Sequence, residues 1–180
     1  NVRATTAKVE NNRREPRAEE AVDRKIVYEA NVELEVRDFS ATEVALPRLV
    51  EEHGGYLSET AIDRNSGKYL SGRWQARIPS SELQNFLAAV SGLGETKRLS
   101  QSALDVTADF VDLEARIKSK QELETRIVEL LKKSAAEIGE VLEVEGELAR
   151  VRGEIEQMQG KLRYLANRAE LTTVDISARE

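Results

Sequence analysis

Val141-Leu-Glu-Val-Glu-Gly-Glu-Leu-Ala-Arg-Val-Arg-Gly-Glu-Ile-Glu-Gln-Met-Gln-Gly-Lys-Leu-Arg-Tyr-Leu165 decides how this chain is read. Val141, Val144, Leu148, Val151, Ile155, Met158, Leu162 and Leu165 recur in alternating steps of three and four. A seam of period 3.5 is the pattern of a helix that packs along its whole length against another helix. The partner lies just upstream. Phe110, Leu113, Ile117, Leu123, Ile127, Leu130 and Leu131 repeat the spacing less regularly, and Lys120 stands where an apolar residue is expected. That leg is therefore read as looser in its middle.

Between the legs runs Lys132-Lys133-Ser134-Ala135-Ala136-Glu137. Two lysines suit the negative end of a helix dipole, and Ser134 with Glu137 fits a capping box, which places the tip near residues 133–135. So short a connection makes the legs antiparallel neighbours. The second leg, about 33 residues at ~1.5 Å each, spans roughly 50 Å and has to project from a small domain or lie across a partner.

Gly139, Gly146, Gly153 and Gly160 recur every seven residues opposite the seam. Each costs a helix about 0.5–1 kcal/mol relative to alanine. Two readings stand: a smooth face where another helix or a second copy approaches closely, or a solvated outer face that tolerates the cost. Near the tip, Glu137, Glu140, Glu143, Glu145 and Glu147 form an acidic run. The helix dipole accounts for the first of them, and the later ones leave room for a basic partner.

The flanking sequence is of another kind. Residues 1–24 lack apolar periodicity and read as a flexible linker. From Lys25, Ile26, Tyr28, Ala30, Val32, Leu34 and Val36 share one side of an alternating strand. Ser40-Ala-Thr-Glu43 reads as a capping box for a helix to about Glu52, interrupted by Pro47 and stopped at His53-Gly54-Gly55. Residues 56–64 and 68–78 read as a hairpin around Asn65-Ser66-Gly67, with Leu70, Gly72, Trp74, Ala76 and Ile78 on one face. Pro79-Ser80-Ser81 caps a helix over about 81–92, whose Leu83, Phe86, Leu87 and Val90 share a stripe. Residues 95–106 make a fourth strand, and Thr107 caps the first long helix. After the second long helix, Leu171-Thr-Thr-Val-Asp-Ile-Ser177 is strand again.

The order β-α-β-β-α-β, then αα, then β predicts an α+β protein. Its sheet domain (residues 25–106 and 169–180) is expected to be ferredoxin-like, with a long antiparallel coiled-coil hairpin (107–168) inserted before a final strand placed beside the others.

Composition narrows the functions. The chain has 180 residues, is 33% charged and 4% aromatic, and carries a net charge of −6. Basic and acidic residues are interspersed, so nucleic acid is not an expected partner. The absence of cysteine removes disulfide and thiol chemistry without deciding the compartment. Since the chain begins at Asn1, it is expected to be an excised or processed fragment. The single histidine, His53, is read as a helix-end residue rather than a metal ligand or catalytic base. Ser80-Ser81 is read as a cap, Trp74 as core, and Arg73 and Arg77 as the wet face of their strand. No catalytic, metal or cofactor-binding residue is assigned, and no enzyme activity is expected.

Asp105-Val106-Thr107 with Phe110-Val-Asp-Leu-Glu-Ala-Arg116, then Val151-Arg-Gly-Glu-Ile-Glu156, Gly160-Lys-Leu-Arg-Tyr-Leu165 and Leu171-Thr-Thr-Val-Asp-Ile176, resembles the bacterial family called domain of unknown function 4349. The likeness covers about residues 25–180. It implies an envelope protein, lipoprotein-like or otherwise exported, with membrane anchoring by segments outside this fragment. Localisation at the extracytoplasmic face of a bacterial membrane, periplasm or cell surface, is implied by the resemblance alone. The family supplies no catalytic residues. The leading expectation is a non-enzymatic envelope interaction or scaffold module that docks a partner protein or self-associates through the hairpin. The alternative is an extracytoplasmic ligand-sensing or regulatory domain of a membrane-anchored protein, which requires an apolar pocket with convergent polar groups.

Overall fold

A computed structural model describes residues 24–64, 69–133 and 138–180, with the backbone alone at 138–140. The linker, the Asn65-Ser66-Gly67 turn and the tip read at 133–135 lie wholly or mostly outside the described residues. The elements are β1 (Ile26–Glu35), α1 (Phe39–Glu52), β2 (Tyr56–Asp63), β3 (Ser71–Pro79), a 3-10 turn (Ser80–Glu82), α2 (Leu83–Ser91), β4 (Glu95–Asp105), α3 (Thr107–Lys133), α4 (Ile138–Glu170) and β5 (Leu171–Arg179). The chain is thus α+β, with a mixed sheet of five strands and four helices.

The element order is the expected one; the strand pairing is not. The sheet runs β2-β3-β5-β1-β4. A ferredoxin-like sheet pairs β1 directly with β3. Here β5 separates them, parallel to β1 and antiparallel to β3. From the centre β5 bonds a strand on each edge, while its Thr172, Val174, Ile176 and Ala178 are buried on the core face.

The core lies on one side of the sheet. Ala30, Val32 and Leu34 of β1, Trp74, Ala76 and Ile78 of β3, and Val174, Ile176 and Ala178 of β5 meet Phe39, Leu46 and Val50 of α1 and Leu83, Phe86, Leu87 and Val90 of α2. Cross-strand register aligns these residues in rows: Val32 faces Ile176, which faces Trp74. Gly72 clears space for that row. A Cβ there would lie 2.5 Å from the Trp74 ring and 2.8 Å from Phe39. The opposite side carries Glu29, Asn31, Glu33, Asp175, Ser177, Arg73 and Gln75, a polar face wet along most of its length.

Three caps differ from expectation; one is Thr107, the first residue of α3, whose hydroxyl donates to Asp105 and accepts from the Lys25 N–H. Asp38 starts α1: its Oδ1 accepts from the Ala41 N–H at 2.9 Å. Ser40 then falls inside the helix, while Phe39 enters the core at its first position. Ser80 and Ser81 form the 3-10 turn, and α2 begins after Glu82 without a side-chain cap. α1 continues through Pro47, its two halves held by Phe39, Thr42, Leu46 and Val50. It ends as read, at His53, with Gly54 at φ 70° supplying the left-handed turn.

Candidate interaction surface of the long helices

α3 has 27 residues and α4 has 33, roughly 40 and 50 Å at the α-helical rise. They pack together through Ile127, Val151 and Ile155, which are buried, with Leu123, Leu131, Val144 and Leu148 around them. Two ion pairs cross between the helices. Lys120 Nζ lies 2.6 Å from Glu154, and Arg152 Nε donates to Glu124 at 2.7 Å. Residue numbers rise on one helix as they fall on the other, so the helices run antiparallel.

Lys120 therefore does not leave the seam unfilled. Its ammonium crosses to Glu154 while the stem stays half-buried. Leu130 departs from the seam that the sequence pattern gave it: it is 64% exposed, and Leu131 packs instead. Adjacent residues point some 100° apart on a helix, so only one of the two can face α4.

The bases of the pair join the sheet almost without a loop. The Asp105 carboxylate at the end of β4 accepts from the Thr107 N–H at 3.0 Å and from its hydroxyl. Hydrogen bonding by Thr107 holds that carboxyl below its ordinary range. α4 passes directly from Glu170 to Leu171. Around this base Arg168 bonds Glu29 of β1, and Arg77 of β3 donates to Asn167 at 2.8 Å and to Thr173 at 2.6 Å. Val27 and Val106 are buried here, where α4 meets β1 and β5. Arg77 is thus tied to the helix base, whereas Arg73 stays exposed.

Gly146, Gly153 and Gly160 all point to open space; a Cβ at any of them would meet nothing within 4 Å. No element of the described chain uses their smoothness. Gly139 and Glu140 belong to α4, but their side chains lie outside the described residues, as does Glu137 altogether. If these glycines face only water, Gly153→Ala stabilises the protein by about 0.5–1 kcal/mol through helix propensity. Urea unfolding measures this, and a destabilised variant would reveal a close neighbour at that face.

The acidic run divides. Glu143 and Glu145 are exposed. Glu147 instead binds Arg150, whose guanidinium also meets Glu154. Hydrogen bonding from Arg150 lowers the Glu147 pKa, and hydrogen bonding from Lys120 lowers that of Glu154. A carboxylate whose folded pKa is depressed adds stability above its unfolded pKa, and that stability is lost as pH falls through the folded value. The ordinary value is 4.5, so the helical pair is expected to weaken as pH drops below it. In Lys120→Gln, the acid-induced fall in the helical melting temperature should shrink; an unchanged fall would assign the pH response to other carboxylates.

Val111 and Tyr164 near the sheet, and Leu130 and Leu142 at the other end, are apolar residues that the pairing leaves exposed. Leu130 and Leu142 are 64% and 63% exposed and lie close to the two helix ends that face residues 134–137. Leu142 could have been marked in the sequence, because it stands off the seam between Val141 and Glu143.

Other candidate residues sit apart from this surface. His53 Nδ1 lies 3.4 Å from Glu82, with its ring edge-on to Phe86. Among the described residues no cluster of histidine and acidic side chains has the geometry to hold a metal. No described helix is long and apolar enough to cross a membrane. Trp74 is buried in the core beside Phe39.

A family model described as "Domain of unknown function (DUF4349)" matches residues 24–180, and the chain belongs to that family. No curated protein and no solved structure matches it.

Proposed function

We propose, taking that family membership as premise, that the chain is a non-enzymatic interaction module of the bacterial cell envelope. The helical pair, supercoiled as an antiparallel coiled coil, projects from the sheet and docks a partner protein or a second copy. Anchoring and export are assigned to segments beyond this sequence, on the extracytoplasmic side of a membrane. One observation carries the reading. Two helices of 27 and 33 residues join the sheet at their base and pack on each other, with Leu130 and Leu142 exposed near the opposite end. Exposed leucines beside acidic Glu143 and Glu145 suit a partner that offers an apolar contact ringed by basic groups.

The sensing alternative draws less support. A hollow at the end of the sheet lies among Glu33, Arg73, Lys97 and Arg179, with Leu34 and Ile62 beside them. It is open and charged, unlike the apolar enclosure that small-ligand binding favours.

Shortening both helices symmetrically tests the proposal. A variant in which a tight turn replaces residues 128–147 should keep the sheet, reported by native Trp74 fluorescence, and lose at least one association of the full-length protein. Retention of every association would overturn the proposal.

A further inference from the structure

β4 lies at one edge of the sheet. It pairs with β1 from Glu95 to Asp105, and among the described residues its other edge is unpaired. All its residues except Thr96 are exposed. Natural edge strands are guarded by charge, proline or bulges. On β2, the opposite edge, a register shift falls between Leu57 and Glu59, and Glu59 and Asp63 add charge. On β4 the irregularity is confined to the start, near Lys97. From Leu99 to Leu104 the strand reads Leu-Ser-Gln-Ser-Ala-Leu, regular, uncharged and without proline or glycine. Leu99 is 48% and Leu104 61% exposed.

Charge selects the occupant. At one end of this stretch lie Arg98 and Lys97, the latter between the carboxylates of Glu35 and Glu95 at 2.9 and 2.8 Å, and at the other end lies Asp105. A second copy running antiparallel brings the basic end of each strand alongside the acidic end of its mate; a parallel copy sets like against like. Geometry then selects the register. Opposed residues of an antiparallel ladder turn their N–H and C=O groups either both inward or both outward. Identical strands therefore oppose residues of equal parity, and the two-fold axis passes through a residue. An axis at Ser100 opposes Glu95 to Asp105, and one at Ser102 opposes Leu99 to Asp105. An axis at Gln101 opposes Leu99 to Ala103, Ser100 to Ser102 and Lys97 to Asp105.

We propose that β4 pairs antiparallel with β4 of a second copy, centred on Gln101, joining two five-stranded sheets into one. Such an interface is isologous and closed, so it ends at a dimer. It uses none of the hairpin and stands or falls independently of the docking function proposed above.

Sedimentation equilibrium of the whole chain, from about 1 to about 100 µM, tests this. The expected result is a dimer that Gln101→Lys weakens by at least about tenfold, because it sets two ammonium groups face to face on the axis. A monomer throughout that range overturns the proposal, as does a dimer indifferent to Gln101→Lys. Hydrogen exchange of the unaltered chain gives a second reading. Every second amide of Leu99–Leu104, those turned away from β1, should gain protection with concentration, and protection that does not depend on concentration counts against the pairing.

Discussion

Replacing Trp74 with alanine is expected to cost about 3–5 kcal/mol, enough to leave a protein of ordinary stability largely unfolded. The indole is 1% exposed. It stands on β3, opposite Ile176 of β5, with the Phe39 ring of α1 at 5.8 Å. Gly72, two residues earlier on the same face, supplies the room, since any side chain there would enter the Trp74 and Phe39 rings. Truncation would therefore leave a cavity between the sheet and α1, walled by a backbone that cannot collapse into it. Urea unfolding followed by far-ultraviolet circular dichroism measures the loss. A cost below about 1 kcal/mol would mean that the indole is not enclosed as described.

Val151→Asp should be comparably damaging by a different route. Val151 is fully buried between α3 and α4, against Ile127 and Ile155. A carboxylate there either stays buried without a partner, at about 3–5 kcal/mol, or forces the helices apart. Separation reaches the sheet as well. β5 occupies the centre, between β1 and β3, and reaches it only after α4 has returned along α3. With the pair undone, residues 106–170 become a loose loop whose closure costs about 4 kcal/mol from length alone. The expected result is one cooperative transition at lower urea, in which helical signal and Trp74 fluorescence are lost together. A helical signal lost while the Trp74 transition stays in place would show that sheet and helices fold independently.

The central position of β5 also marks where sequence reasoning stopped. Alternation showed which residues of β1 and β3 face inward: Ala30, Val32, Leu34, Trp74, Ala76 and Ile78 are all buried. The steps of three and four from Val141 to Leu165 identified α4, and the order of elements was legible throughout. Strand order was not. Pairing between β5 and β1 joins residues more than a hundred positions apart, and alternation records a face but not a neighbour. The one available clue was the run Leu171–Ile176, β-branched at both parities after Leu171, which suits a central strand better than an edge.

Caps misled for a local reason. Ser40 with Glu43 and Asp38 with Ala41 compete for the same helix start, and the burial of Phe39 decides for Asp38. Of the candidate surface, Gly146, Gly153 and Gly160 face open space and Glu143 and Glu145 are exposed, but Glu147 is held by Arg150. That bond follows from i,i+3 spacing and was available in the sequence. The exposure of Leu130 depends on which of two adjacent leucines faces α4, which only the packing settles.

The docking role of the helical pair is tested most directly by site-specific photo-crosslinking in the cells that make the protein. The photoreactive side chain is placed at Leu142, near the outer end of α4, and at Ala149 on its exposed flank as a control. The account predicts a discrete adduct from position 142, with a partner protein or a second copy, that is absent from position 149. Equal labelling from both positions, or none from either, would contradict it.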